Sequence, residues 1–206
     1  MPRTRSRPKT EEKFQNAVLK LVADEGCSAL GINAVAQLAG ADKVLIYRYF
    51  GDFNGLLQLV AESRQWLPTV DELLRALPVG ISAPLPLLRE ISNSLVHHIR
   101  SDASTHQLVR WRRTQACPLC LRFTQEWHQL WQDLPQRLSQ QAGADQRNQW
   151  AQACGLLSLT LEAELCGEPV DRHCLERIAE GLEYSPSLID TAPTPPIEES
   201  LPTNLL

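Results

Sequence analysis

Residues 35–50 read V-A-Q-L-A-G-A-D-K-V-L-I-Y-R-Y-F, and the glycine in their middle decides the fold. Ile32, Val35, Ala36 and Ala39 recur at the spacing of one helical face, and Leu38 is also read as core. Gly40 interrupts the pattern, and a second short helical pattern runs from Lys43 to Tyr49. Glycine tolerates the positive φ of a tight inter-helix turn, and Asp42 can cap the helix that follows. Two short helices joined in this way make a helix-turn-helix, the arrangement whose second helix is sized for a DNA major groove.

The pattern extends outward on both sides. Thr10-Glu11-Glu12-Lys13 reads as a helix start with acids near its positive end, and Phe14, Ala17, Val18, Leu21 and Val22 fall at helical spacing up to Gly26. Asp52 is placed to cap a fourth helix carrying Leu56, Leu57, Leu59, Val60 and Ala61 toward Trp66, with Pro68 as its stop. Asp71–Leu77 follows as a short helix, then a Gly/Pro-rich loop over 79–86. Further helices are expected at Leu87–Arg100, Thr105–Ala116, Pro118–Gln141, Asp145–Cys166 and Asp171–Glu183. No stretch alternates with the period of a strand. The expectation is an all-α chain: a flexible basic arm (1–9), a three-helix helix-turn-helix domain (10–51), a larger helical ligand-binding and dimerisation domain (52–184), and a disordered tail (185–206). The tail's five prolines and polar residues cannot bury enough surface to order it.

Bulk properties narrow the function. An apolar fraction of 43% supports a real core, and no run reaches the ~18 apolar residues of a membrane span. No apolar segment follows the charged N-terminus, so a cytoplasmic location without membrane partners is expected, with the six cysteines as reduced thiols. The net charge of −4 is unevenly spread. Residues 1–50 hold eight Lys/Arg against five Asp/Glu, residues 51–206 twelve against nineteen, and all four lysines lie at or before Lys43. A basic reader on an acidic body fits nucleic-acid binding better than a uniform acidic surface would.

Over Val35–Leu56 the chain resembles the tetracycline-repressor-like (TetR-like) transcriptional regulators. Their pattern I-A-x-x-A-G-V-S-x-x-x-L-Y-x-Y-F-x-x-K-x-x-L meets V35-A36-Q37-L38-A39-G40-A41-D42-K43-V44-L45-I46-Y47-R48-Y49-F50-G51-D52-F53-N54-G55-L56 here. The close resemblance covers about 50 residues. It implies a homodimeric regulator, most simply a repressor, released from a palindromic double-stranded operator by a small-molecule effector. It also places DNA contacts on Asn33, Lys43, Val44, Leu45, Tyr47, Arg48 and Tyr49. Lys43 can reach phosphate or a guanine edge, Tyr47 and Tyr49 can bond phosphate oxygens, and Leu45 can touch a thymine methyl. The amide of Asn33 suits adenine. Plain packing for Tyr47, and solvated charge for Lys43 and Arg48, are the alternatives. Gly31 replaces the usual Ser/Thr cap, Phe53 replaces a lysine that commonly contacts phosphate, and Val44 is bulkier than the usual residue. Arg3, Arg5 and Arg7 of the arm are placed to supply the missing phosphate contact.

In the body, Leu95, His98, Trp111, Phe123, Trp127, Trp131 and Cys154 are candidate pocket residues, with ordinary core packing as the alternative for the aromatic stripe. Leu157, Leu161 and Leu165, together with Leu175, Ile178 and Leu182, make the two apolar faces expected at a dimer interface, or packed internally. Arg110-Trp111-Arg112-Arg113 reads as a solvated basic face. Cys117-Pro-Leu-Cys120 places a thiol at a helix N-terminus, which leaves a redox- or metal-responsive regulator as the alternative function. No second C-x-x-C or His-x-x-x-His completes a zinc tetrad, so neither metal nor cofactor is expected. Scattered histidines and the lack of a triad or phosphate loop make a small helical enzyme the weaker rival.

Overall fold

The computed structural model describes residues 7–78, 84–114, 116–140 and 144–168, and the regular structure among them is all helical. Nine α-helices follow in chain order among these residues: α1 Arg7–Glu25, α2 Ile32–Ala39, α3 Val44–Phe50, α4 Phe53–Glu62, α5 Val70–Arg75, α6 Pro84–Ser101, α7 Ala103–Trp111, α8 Pro118–Leu138 and α9 Ala144–Cys166. A short 3-10 turn at Cys27–Ala29 links α1 to α2. The expected last helix with Leu175, Ile178 and Leu182, the tail, and Arg3 and Arg5 lie outside the described residues.

The helical spacing places α1, α2 and α3 well, while several ends differ for local reasons. α1 begins at Arg7, so the last three residues of the expected arm are helical. Arg7 pairs with Glu11 one turn on at 2.7 Å, and Thr10 is buried within the helix instead of capping it. α4 stops at Glu62, where the Ser63 hydroxyl donates to the Val60 carbonyl. The chain then turns in, and Trp66 is fully buried with its indole N–H donating to the Ala61 carbonyl. Thr69 and Glu72 form a reciprocal capping box that starts α5.

Packing ties the N-terminal helices to the body. α1 lies against α2 and α4 on one side and as extensively against α7 on another; α8 packs on α4 and α9, and α7 on α6 and α9. The apolar faces of these helices merge into one core, from Phe14 and Val35 through Leu56 and Trp66 to Phe123, Trp127 and Leu157. The helix-turn-helix is therefore mounted on α1 and α4, and α1 in turn packs on α7.

α9 corrects one expectation. Leu157, Leu161 and Leu165 are buried with Trp150, Ala153 and Cys154 inside this chain's own core, so they are not an exposed dimer face. The period identifies an apolar stripe, but it does not say whether the same chain or a second copy covers it. On the outer side of α9, Leu159 is 57% exposed.

Candidate nucleic-acid interface

α2 ends as its glycine requires. Gly40 takes φ 61° and ψ 37°, its amide donates to the Gln37 carbonyl, and the Ala41 amide donates to the Ala36 carbonyl at 3.1 Å. This double closure is a Schellman end, and the left-handed residue in it is best filled by glycine. The Asp42 carboxylate accepts from the Val44 amide at 2.9 Å and opens α3. Asp52 accepts from the Gly55 amide at 2.6 Å and opens α4. One glycine, the Asp42 turn contact and the Asp52 cap thus close the turns between α2, α3 and α4.

α3 sorts its residues by face. Ile46 is fully buried, and Phe50 stands edge-on to Phe14 at 6.1 Å, so these two anchor the helix. Val44, Tyr47 and Arg48 point to solvent; Val44 is 61% and Tyr47 54% exposed. Such exposure of a valine and a tyrosine leaves apolar surface unburied, with no packing role in the monomer. Lys43 is also exposed, and its Nζ donates to Asn33 Oδ1 at 3.1 Å across the turn, which brings the candidate readers of α2 and α3 together.

Leu45 and Tyr49 lie differently. Leu45 is half-buried and packs on the core. Tyr49 is half-buried, with the Arg7 guanidinium 5.2 Å above its ring. Arg7 thereby joins the end of α3, a neighbour that the sequence placed on a loose arm. Phe53, at the position where the family pattern carries lysine, is the first residue of α4 and packs against the core.

The candidate pocket residues scatter. Leu95, Phe123, Trp127 and Cys154 are buried in the core. Trp127 is held by its indole N–H to the Ser158 hydroxyl at 3.1 Å and by the Arg112 guanidinium over its ring at 4.8 Å. His98 Nε2 lies 3.0 Å from the Trp66 carbonyl, and the Trp111 indole N–H donates to Gln107. Trp131 borders an open cavity of about 610 Å³ between α8 and α9, lined also by Gln132, Gln136, Arg147, Asn148 and Gly155. The indole nitrogen of Trp131 is buried and has no hydrogen-bond partner among the described residues. Only Trp131 among the seven therefore meets this cavity; Trp111 borders a smaller one of about 330 Å³.

Arg112 is also corrected. It is not on a solvated face: its side chain is 7% exposed and forms an ion pair with Glu162, itself 7% exposed, while Arg113 joins the same carboxylate at 2.6 Å from solvent.

The Cys117–Cys120 pair has a third member that no sequence motif signals. Cys27, far earlier in the chain, sits in the 3-10 turn with its sulfur 3.5 Å from that of Cys120. Cys117 caps α8 and accepts from the Cys120 amide at 3.5 Å. Thiol donors Cys120 and Cys27, then the Cys120 and Leu119 amides, hold Cys117 well below the ordinary thiol range despite its burial. Hydrogen bonding to Cys117 and Cys120, with burial, pushes Cys27 up, and Cys120 is pushed up to about 12, chiefly by Cys117.

No protein-family model and no curated protein matches the sequence. Solved structures similar to the chain include a protein described as a transcriptional regulator, SCO7518, from Streptomyces coelicolor A3(2). It is 20% identical, with 84% of this chain and 99% of that chain covered at a TM-score of 0.49. Another is the TetR family transcriptional regulator PfmR from Thermus thermophilus, 16% identical, covering 82% and 98% at a TM-score of 0.48. At such scores the likenesses assign no function, and the residues themselves must carry it.

Proposed function

We propose that the chain is a TetR-like DNA-binding transcriptional regulator, not an enzyme, which holds a palindromic operator as a homodimer and is released from it by a small molecule. The observation that carries the reading is the outward face of α3, where Lys43, Val44, Tyr47 and Arg48 stand exposed beside Asn33 on a helix anchored from behind by Ile46 and Phe50. Lys43, Arg48 and the Tyr47 hydroxyl suit phosphate and base edges, and Val44 suits a thymine methyl. Arg7 over Tyr49 adds a cation at the flank.

The homodimer follows from reach. Seven residues of α3 span about 10 Å, enough for only a few base pairs. A second head one helical turn of DNA away, ~34–36 Å, doubles the site read. Effector release requires a ligand that prefers the non-DNA state of the body. The cavity beside Trp131 has the size of a small-molecule site and one unused indole donor.

The test selects duplexes from a randomised library with the full chain and measures Lys43→Ala and Tyr47→Phe on the winner. A palindrome is expected. Loss of a base contact at Lys43 weakens binding by about 1–3 kcal/mol, roughly 5- to 150-fold. Loss of a phosphate contact makes the salt slope about one unit shallower. Unchanged affinity and slope in both variants would refute the assignment of α3.

A further inference from the structure

The three sulfurs of Cys27, Cys117 and Cys120 come from opposite sides of the joint between head and body. Cys27 follows α1 and precedes the helix-turn-helix, whereas Cys117 and Cys120 form the first turn of α8. All three sulfurs lie within 4.8 Å of one another; Cys27 and Cys120 are buried and Cys117 half-buried. Among the described residues the cluster contains no histidine or carboxylate, so every donor is soft.

Spacing separates a metal site from a disulfide. A metal–thiolate bond is about 2.3 Å, so three sulfurs around one ion in a plane stand roughly 4 Å apart. The cluster lies near that separation, with Cys27 and Cys120 3.5 Å apart and every pair of sulfurs within 4.8 Å. A disulfide needs about 2.05 Å, so Cys27 and Cys120 would have to close their 3.5 Å gap by about 1.5 Å and leave Cys117 out. Cys117 also accepts from the Cys120 amide at the N-terminus of α8, a 21-residue helix whose dipole favours an anion there.

We propose that Cys27, Cys117 and Cys120 form a three-thiolate site for a soft metal ion that ties the N-terminal head to the helical body. Three sulfurs without a fourth protein donor fit Cu(I); structural Zn(II) sites take four. Each ligating thiol gives up its proton to water as its sulfur bonds the ion. Because the ligands span the joint, occupancy fixes the position of α2 and α3 on the body. The consequence for operator affinity rests on the function proposed above.

The experiment titrates the reduced full chain under nitrogen with Cu(I) against bicinchoninate, and separately with Zn(II) against a chromophoric chelator. One retained equivalent of Cu(I) is expected, weakened at least about tenfold by Cys27→Ser, Cys117→Ser or Cys120→Ser and unchanged by Cys166→Ser. Zn(II) retained in preference, with the same dependence on the three cysteines, supports the site and reassigns its ion. No retained ion, or full retention in Cys27→Ser, overturns it. X-ray absorption of the loaded wild type decides even if a variant fails to fold: a shell of three sulfurs supports the site, a shell of two overturns it. On the selected duplex, loading shifts wild-type affinity by at least about fivefold and leaves Cys27→Ser unaffected. Equal affinity with and without bound ion overturns the coupling. Absence of DNA binding in both states overturns the proposed function, and the titration still judges the site.

Discussion

Replacing Gly26 by alanine tests the contact between the link after α1 and the end of α7. Gly26 has φ 83° and ψ 178°, a backbone conformation almost confined to glycine, so any side chain there is strained by about 1–3 kcal/mol. A Cβ at this position would also stand 2.4 Å from Trp111 Nε1 and 2.9 Å from Trp111 Cε2, well inside contact distance. The indole is the end of α7, donates to Gln107 and can yield only by losing that contact and disturbing α7 on α1. Overpacking of this kind adds about 1–3 kcal/mol. The two effects together predict a loss of about 2–6 kcal/mol, read as a lower midpoint in urea at unchanged slope. For a chain of 206 residues each kcal/mol lowers Tm by about 2–4 °C. A double-mutant cycle with Trp111→Ala divides the effect: in that background Gly26→Ala retains only the backbone strain, about 1–3 kcal/mol. A loss under about 0.5 kcal/mol in the single variant would refute the close approach of α1 and α7 and the φ assigned to Gly26.

Other perturbations address the body. Glu162→Leu leaves Arg112 buried and unpaired, with a predicted loss of about 3–5 kcal/mol in urea unfolding. Adding Arg112→Leu recovers most of it, whereas a loss in the double variant equal to the sum of the two single losses would show that the pair is not coupled. Asp102 caps α7: burial alone raises its pKa, but hydrogen bonds from Ser104, the Thr105 amide and Arg64 win and hold it at about 2, below the ordinary 3.8. The folded state therefore binds that proton later than the unfolded chain, so Asp102 adds stability above about pH 4 and loses it as pH falls toward 2. Asp102→Ala costs about 1 kcal/mol at neutral pH and flattens this acid limb; an unaltered limb would rule out the cap.

Local signals carried much of the reading. Gly40, Asp42 and Asp52 mark helix ends through their own backbone and side-chain chemistry, and the structure places all three as caps or turns. The apolar period found most of the inward faces of α1, α2 and α4 because burial on a short helix repeats with the turn, but Leu38 and Leu59, read onto those faces, are 42% and 40% exposed. The exposed positions of Lys43, Tyr47 and Arg48 follow from the same period. Separating Tyr47 from Tyr49 needed α1, since Arg7 covers one ring and not the other.

What the sequence by itself determined is the helical class, the helix-turn-helix and the residues able to face outward from it, because all three depend on neighbours within a few positions. Tertiary structure alone decided that Leu157, Leu161 and Leu165 serve this chain's own core, that Arg112 is sealed against Glu162, and that Cys27 meets Cys117 and Cys120. A helical period fixes the direction in which a side chain points on its own helix. It carries no information about which distant segment, from the same chain or another, fills the space in front of it.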